Sequence, residues 1–269
     1  MFQTLFTQPL ANGLILFYKV LGNNMGLAII GFSLFLRFIL NPLTKPYMES
    51  MKKMKDIAPQ INKLKEKYKG DKIKFAQAQA DFYKNKGIKP GAGCLPYILQ
   101  IIILIAFFNV FTKTFATENV TQAFNDLLYS PLVFGAGEAV NTTFLYLDLK
   151  NPDTFNFTGV PFPMPGPLLF FAAVLQLVSA KIMQPFTDIE EKVAKKTKDT
   201  TDDMQVAMQQ SMTYTFPLMT LFIGVRFSSA LALYWLVFSI TQSWQQYKSQ
   251  GWGGLTPWLK RLGLLQSGK

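Results

Sequence analysis

Arg37 is the side chain best suited to bind an anionic group, because it is the one charge that lies away from the ends of a long apolar segment. An arginine at the centre of a bilayer costs about 2.5–3.5 kcal/mol on insertion scales, so it usually faces protein or water. Ser33 lies one helical turn away on the same face. Two interpretations stay open: Arg37 lines a wet cavity, or its side chain extends past Asn41 to the lipid headgroups.

Uncharged polar side chains recur in each of the other long apolar segments. They are Gln100, Asn109, Gln176, Thr213, Ser239 and Gln242. In hydrocarbon such groups need hydrogen-bond partners or water. A wet cavity that holds them beside one positive charge would attract acidic peptide segments, whereas the alternative is ordinary hydrogen bonding between helices.

The residue types that are missing exclude several chemistries. The chain has no histidine, which excludes imidazole catalysis and histidine metal ligands. Cys94 is the single cysteine, which excludes an intramolecular disulfide and a multi-cysteine metal site. We find no phosphate-binding loop, no catalytic triad and no pair of carboxylates in an apolar segment. The sequence therefore predicts a protein that is not an enzyme and that has no cofactor and no metal site.

Composition predicts an all-α integral membrane protein. Of 269 residues, 49% are apolar and only 16% are charged, against about a quarter charged in ordinary globular chains. A helix that crosses a bilayer needs about 20 mostly apolar residues, and the uncharged windows of this chain supply five such segments. We predict transmembrane spans at 24–43, 92–112, 167–184, 210–225 and 229–247.

The basic residues predict the orientation in the membrane. Thirteen lie in 45–89, five in 181–203 and four from Lys248 onward; of the other five, Arg37 lies in the first predicted span and only four lie in the remaining segments. Because Lys and Arg concentrate in cytoplasmic loops, the amino terminus is predicted outside and the carboxyl terminus in the cytoplasm. This assigns an outer loop to 113–166, a cytoplasmic loop to 185–209 and a cytoplasmic tail to 248–269.

Residues 1–22 predict an amphipathic helix that lies in the outer interface. Their apolar side chains recur at helical spacing but are interrupted by Pro9 and by Asn12-Gly13. The stripe comprises Phe2, Phe6, Leu10, Leu14, Phe17 and Leu21. The alternative is a sixth, poorly formed span.

Residues 44–89 predict a cytoplasmic hairpin of two amphipathic helices. Span 1 is expected to end at Asn41-Pro42, and Pro59 is expected to kink the first hairpin helix. Gly70 ends that helix and Asp71 caps the next. Two apolar stripes carry the prediction: Tyr47, Met51, Met54, Ala58, Ile61, Leu64 and Tyr68, then Ile73, Ala76, Ala80 and Tyr83.

Lysines cover the outward faces of this hairpin. Those expected to recruit a partner are Lys52, Lys53, Lys55, Lys63 and Lys67. Such a surface can bind anionic lipid headgroups, contact ribosomal RNA through its phosphates, or simply stay solvated. No feature predicts sequence-specific nucleic-acid binding.

Short motifs in a fixed order identify a family. They are RFILNPLTK at 37–45, MKKM at 51–54, PQI at 59–61, GIKP at 87–90, GCLP at 93–96 with Gln100, and LALYW at 231–235 with QQ at 245–246. This ordered set, with a basic hairpin between spans 1 and 2, resembles the YidC-type membrane protein insertases, which have mitochondrial and chloroplast relatives. The resemblance covers about residues 1–248.

The resemblance implies five spans around a hydrophilic groove that opens to the cytoplasm and the lipid. It implies that Arg37 attracts the acidic or polar outer tail of a client, and that spans 3 and 5 form an apolar path into the lipid. The substrate-binding residues it implies are Arg37, Ser33, Gln100, Gln176, Trp235 and Tyr234. The hairpin is where such a family recruits substrates or ribosomes.

The function implied is that of a membrane protein insertase and chaperone of the bacterial plasma membrane. Clients would be small or single-span nascent proteins with acidic outer tails, inserted alone or with the Sec translocon. Burial of the client's apolar span, at about 25 cal/mol per Å², would drive release into lipid without another energy source. A small-solute transporter or channel with the same polar interior is the alternative, and a scaffold that docks ribosomes or lipids is a third reading.

Overall fold

The computed structural model describes residues 1–68, 70–87, 95–156, 158–159, 161–183 and 213–264, and within them leaves out the side chains of some residues, mostly at 45–62. The predicted loop 185–209, Cys94 and the last five residues lie outside this part of the chain. The described residues are mostly helical, as the composition predicts.

Nine α-helices, here numbered in chain order, make up most of the described chain. They are α1 (Gln8–Val20), α2 (Met25–Lys67), α3 (Lys72–Asn85), α4 (Leu95–Phe115), α5 (Val120–Asn125), α6 (Pro167–Met183), α7 (213–224), α8 (Ser229–Gln250) and α9 (Thr256–Arg261). A π-helical turn, Gln3–Thr7, precedes α1, and a 3-10 turn, Gly253–Leu255, precedes α9. Each of the five predicted spans overlaps one of the longer helices.

The helix that contains span 1 does not end at Asn41-Pro42, where the span is expected to end, and it continues through Pro59, where a kink is expected. One α-helix of 43 residues, α2, runs through Pro42, Pro46 and Pro59. Each proline removes only one backbone hydrogen bond, and the contacts of α2 with α1 and α8 hold the rest of the helix. The first span and the first hairpin helix are therefore one continuous element.

The turn and cap predicted for the hairpin are confirmed. Gly70 takes a left-handed φ of +93°, and the Asp71 carboxylate accepts a hydrogen bond from the Lys74 backbone N–H at 3.0 Å. Ile73, the first residue of the predicted second stripe, is 74% exposed. That stripe is therefore not buried as a whole.

The buried face of α1 differs from the predicted stripe. Ala11, Leu14, Ile15 and Tyr18 are buried, and only Leu14 of these belongs to the stripe. The reason is close packing on α2, where a Cβ at Gly13 would meet the Phe32 ring. The interior of the helical body is aromatic and aliphatic, and its largest fully buried side chains include Phe107, Phe111, Phe124, Ile29 and Met25.

The predicted outer loop is folded. It contains α5, a 3-10 turn (Ser130–Leu132) and two short antiparallel hairpins, β1 (Thr143–Phe144) with β2 (Leu147–Asp148) and β3 (Thr154–Phe155) with β4 (Met164–Pro165). Thr143 pairs with Asp148 and Thr154 pairs with Pro165.

Hydrogen bonds fasten this loop to the helices. The first N–H groups of α8, from Ser229 and Ala230, donate to the carbonyls of Asn151 and Leu149. The buried Asn12 side chain donates to the Leu127 carbonyl at 3.0 Å. The loop therefore closes one end of the helical body.

Apolar side chains cover much of the outer surface of the helices. Met25–Thr44, at the amino-terminal end of α2, is the one described segment long and apolar enough to span a bilayer by itself, and 28% of it is buried. Leu99–Phe115 and Pro167–Ile182 are apolar but shorter. Large exposed apolar residues continue on the other helices, among them Ile101, Ile105, Phe170, Phe171, Phe216, Phe222 and Ile240.

Candidate functional site

A pocket lies where α2, α4 and α8 meet. Its volume, with the open mouth included, is about 310 Å³. Its lining residues are Ser33, Leu36, Arg37, Leu40, Gln100, Ile103, Tyr234, Phe238 and Thr241. On each helix these residues recur three or four positions apart, so each helix turns one face toward the pocket. The pocket thus brings together four of the six predicted substrate-binding residues.

Arg37 supplies the charge of this pocket. Its Nη2 donates a hydrogen bond of 2.6 Å to the Gln245 Oε1 on α8, and its guanidinium carbon lies 5.0 Å from the centre of the Phe238 ring. Its Nε is buried and finds no hydrogen-bond partner within the part of the chain that the structure describes. The guanidinium is therefore held by the protein interior, and one of its N–H groups has no acceptor among the described residues.

Gln245 links Arg37 to two more side chains of α2. Its Nε2 donates to the Asn41 Oδ1 at 2.7 Å and to the Thr44 hydroxyl at 3.4 Å. The Gln245 amide oxygen therefore accepts a hydrogen bond from Arg37, and its NH₂ group donates to the residues one and two turns further along α2. This arrangement fixes the Arg37 side chain beside α8 and favours the cavity interpretation over extension toward the headgroups.

Gln100 and Tyr234 form the second polar contact of the pocket. The Gln100 Nε2 donates to the Tyr234 hydroxyl at 2.9 Å, and the Tyr234 ring packs against Phe107 with centroids 4.5 Å apart. Tyr234 is only 3% exposed. This hydrogen bond joins α4 to α8, and aromatic side chains pack around it.

Ser33 lines the pocket, but its hydroxyl is already used. It donates to the Ile29 carbonyl in the preceding turn of α2, a common arrangement for serine within a helix. Its oxygen still offers lone pairs to a ligand donor.

Gln176 and Trp235, which the resemblance also assigns to the substrate-binding groove, do not line this pocket. The Gln176 Oε1 accepts a hydrogen bond of 2.7 Å from the Thr220 hydroxyl, which joins α6 to α7. Trp235 is partly buried against the apolar core. Gln176 lies on α6, which packs along the side of α8 that carries Ser243; the hydroxyls of Ser179 on α6 and Ser243 on α8 are 2.6 Å apart.

The predicted recruitment lysines lie on α2. Lys53, Lys63 and Lys67 are exposed, and the Lys67 Nζ lies 5.5 Å from the centre of the Tyr68 ring. Lys52 and Lys55 belong to the same helix, but their side chains lie outside the described residues. These three lysines lie more than four helical turns beyond Arg37 on the same helix.

Sequence reasoning missed Gln245 as a site residue, although a signal was present. Tyr234, Phe238, Thr241 and Gln245 recur at intervals of four, three and four residues, which is one face of α8. Because Tyr234 belongs to the expected site, this spacing alone would place Gln245 on the same face of α8, about three turns further along the helix. Its partner on α2 is not deducible from spacing.

The pocket can bind an anionic or hydrogen-bonding peptide group. It offers a fixed guanidinium, with no carboxylate within ion-pair distance among the described residues, and an apolar lining contributed by three helices. A charge-assisted hydrogen bond from an arginine to a carboxylate is among the stronger polar contacts in proteins.

Comparison with known proteins identifies the family. Residues 16–251 match the family model described as 60Kd inner membrane protein, which covers most of the chain and the whole pocket. The chain belongs to the 60Kd inner membrane protein family.

Individual relatives agree with this family assignment. The chain is 31% identical over 233 residues to the membrane protein insertase YidC of Shewanella baltica strain OS195, covering 87% of this chain and 35% of that protein. It is 32% identical over 246 residues to the protein of the same name from Caulobacter vibrioides strain NA1000, covering 90% and 36%. The chain therefore spans about a third of the length of the curated relatives it matches.

Proposed function

We propose that this chain is a membrane protein insertase that binds nascent membrane proteins in the Arg37 pocket and releases their apolar helices into the bilayer. One observation carries the proposal: a guanidinium with a free, buried Nε in the described chain lines a pocket among helices whose outer surfaces are apolar. The name of the relatives, membrane protein insertase, supports the same function.

In this function Arg37 attracts an acidic or polar client tail. A polar tail in hydrocarbon lacks hydrogen-bond partners. The Arg37 guanidinium and the Gln100 and Tyr234 side chains would supply such partners for part of the distance across the bilayer. The apolar span of the client then gains free energy by leaving for the lipid, at about 25 cal/mol per Å² of buried apolar surface. Trp235, with α6 and α8, would line that exit.

The proposed topology is five spans, with the amino terminus outside the bacterial plasma membrane and the carboxyl terminus in the cytoplasm. The charge distribution supports it, because 22 Lys and Arg residues lie on the proposed cytoplasmic side against 4 outside. The hairpin of α2 and α3 would then stand in the cytoplasm and present its lysines to ribosomes, to lipids or to the Sec translocon.

Replacement of Arg37 tests the role of the pocket. In proteoliposomes, Arg37→Ala should lower insertion of a single-span client with an acidic outer tail by about tenfold, since a hydrogen bond to a charged group is worth about 1.5–3 kcal/mol. Arg37→Lys keeps the charge and should retain most of the activity. A matched client with a neutral tail should be affected much less.

Equal insertion of both clients by Arg37→Ala would contradict the role of Arg37. A photo-crosslinker at Ser33 and another at Trp235 separate that result from failure of the whole proposal. Crosslinks from both positions to a ribosome-stalled client, lost when its apolar span is made polar, are expected. Absence of crosslinks together with a measurable solute flux would favour the transporter alternative.

A further inference from the structure

The chain beyond α8 forms a packed element, here called the carboxyl-terminal segment (251–264). Gly251 ends α8 with a left-handed φ of +66°. Gly253 then lies so close to α6 that a Cβ there would overlap the carbonyl oxygen of Ile182. Leu255 is buried, and the Thr256 hydroxyl donates to the Gly253 carbonyl at 2.8 Å. The segment is therefore fixed against the end of α6.

Aromatic side chains surround this junction. The Tyr247 and Trp252 rings lie 4.5 Å apart, and Trp244, Trp252 and Trp258 are all at least one-third exposed. Tryptophan and tyrosine are enriched where a membrane protein passes from hydrocarbon to headgroups, since their rings are apolar and their N–H or O–H groups are polar. The cluster predicts that this junction lies at headgroup depth.

Cations lie beside these aromatic rings. The Lys181 Nζ lies 4.9 Å from the Tyr214 ring and 5.4 Å from the Trp258 ring, and the Lys248 Nζ lies 4.8 Å from the Trp244 ring. Lys260 and Arg261 are exposed at the end of α9. The sequence has no Asp or Glu after Asp203, so the positive charge of the segment is not balanced from within it.

We propose that the carboxyl-terminal segment is an interfacial element that binds anionic phospholipid headgroups with Lys260 and Arg261 and inserts Leu262 and Leu264 among the lipids. Both leucines are 70% exposed, beside the two cations. An RNA phosphate backbone would satisfy the cations but not the leucines, whereas an anionic bilayer surface accepts both. The proposal requires that α8 crosses the bilayer, but not that the protein inserts clients.

Spin-label depth measurement on the full-length protein tests this proposal. Cys94→Ser provides the background, and a nitroxide is attached at Leu262→Cys or, as an aqueous reference, at the exposed loop position Ala136→Cys. The protein is reconstituted in phosphatidylcholine vesicles with or without 30% phosphatidylglycerol. Oxygen and a water-soluble nickel complex then report depth, and anionic lipid on both leaflets makes the result independent of protein orientation.

With phosphatidylglycerol present, the label at 262 should be well shielded from nickel while the label at 136 is not. Lys260→Gln with Arg261→Gln should move the oxygen-to-nickel accessibility ratio toward the aqueous reference by about fivefold or more. Raising the salt from 0.1 M to 1 M, which shortens the Debye length from about 10 Å to about 3 Å, should do the same without any substitution.

Three results would overturn the proposal. The first is a label at 262 that is as accessible to nickel as the label at 136. The second is the same immersion with and without phosphatidylglycerol, which would leave only apolar anchoring. The third is protection by added ribosomes but not by anionic lipid, which would assign the surface to RNA.

Discussion

At the scale of single residues, Gln245 decides how available Arg37 is to a client. Its Oε1 occupies one guanidinium N–H at 2.6 Å while its own N–H group is anchored on Asn41. A client carboxylate that reaches Arg37 must share the guanidinium with this amide. Gln245 is thus a positioning residue for the proposed activity.

Substitutions of Gln245 should move the preference for acidic client tails in opposite directions. Gln245→Glu places a carboxylate beside Arg37, so insertion of the acidic-tail client should fall by about tenfold, because that charge pair competes with the client. Gln245→Leu leaves the guanidinium free of this competing amide and should raise that insertion. The measurement is the ratio of acidic-tail to neutral-tail insertion in proteoliposomes.

Gln242→Glu is the matched control, because it adds the same charge one turn away on α8, where the side chain does not line the pocket. It should leave the ratio close to that of the unmodified protein. If both glutamate variants lower the ratio equally, the effect comes from added negative charge in general and not from contact with Arg37.

At the scale of elements, the hairpin depends on the capped start of α3. Two groups of Lys74 hold the pKa of Asp71 below its usual value of 3.8. The larger effect comes from the Lys74 backbone N–H and the smaller from its ammonium group, which lies 2.9 Å from the carboxylate. A lowered pKa means that the cap is complete above pH 3.8 and is lost as the pH falls through the lowered value.

Hydrogen exchange of the first turn of α3 checks this cap. Its amides should be protected at pH 5 and lose protection as the pH falls below 3.8. Asp71→Asn keeps an acceptor for the Lys74 N–H but cannot titrate, so its exchange should follow only the intrinsic pH dependence. Asp71→Ala should exchange several-fold faster at every pH; equal exchange in Ala and Asn variants would show that the cap is unimportant.

Asp153 fastens the outer loop to the start of α6. The Asp153 carboxylate is 2% exposed and accepts hydrogen bonds from the Leu169 N–H at 3.0 Å and from the Tyr146 hydroxyl at 3.2 Å. Desolvation and the neighbouring Asp153 charge raise the pKa of Tyr146, which extends the range of alkaline pH over which its hydroxyl remains a donor.

Removal of this carboxylate should destabilise the protein. Asp153→Ala should lower the free energy of unfolding in detergent by about 1.5–3 kcal/mol, the worth of a hydrogen bond to a charged group. Asp126→Ala is the control, since that carboxylate accepts an exposed hydrogen bond from Gln122, and it should change stability by less than about 0.5 kcal/mol. Similar thermal midpoints for the two variants would show that the loop is held without Asp153.

At the scale of the whole molecule, the basic residues behind the net charge of +11 lie mostly in the segments proposed to be cytoplasmic. This asymmetry predicts one orientation of the protein in the membrane. Single cysteines in a Cys94→Ser background test it with a membrane-impermeant thiol reagent. In intact cells, Ala136→Cys in the outer loop should be labelled and Lys84→Cys at the end of α3 should not, because basic loops stay in the cytoplasm. Both should be labelled after permeabilisation, and labelling of position 84 in intact cells would reverse the proposed topology.

The sequence by itself determined the class of structure and several local features. Few charges and five long uncharged windows predict helices in a membrane, because hydrocarbon requires apolar side chains and internally satisfied backbones. Local rules also sufficed for the Gly70 turn and the Asp71 cap, since both depend on residues within three or four positions. Arg37 could be singled out because an unbalanced charge in an apolar segment is rare.

Only the tertiary structure decided which polar groups meet. Arg37 and Gln245 are 208 residues apart, and Gln176 contacts Thr220 instead of lining their pocket, because helix packing sets which faces meet. The face that α1 buries and the continuity of α2 through three prolines likewise depend on neighbouring helices. Periodicity shows that a helix has an apolar face, but the partner and rotation that bury it come from contacts between distant parts of the chain.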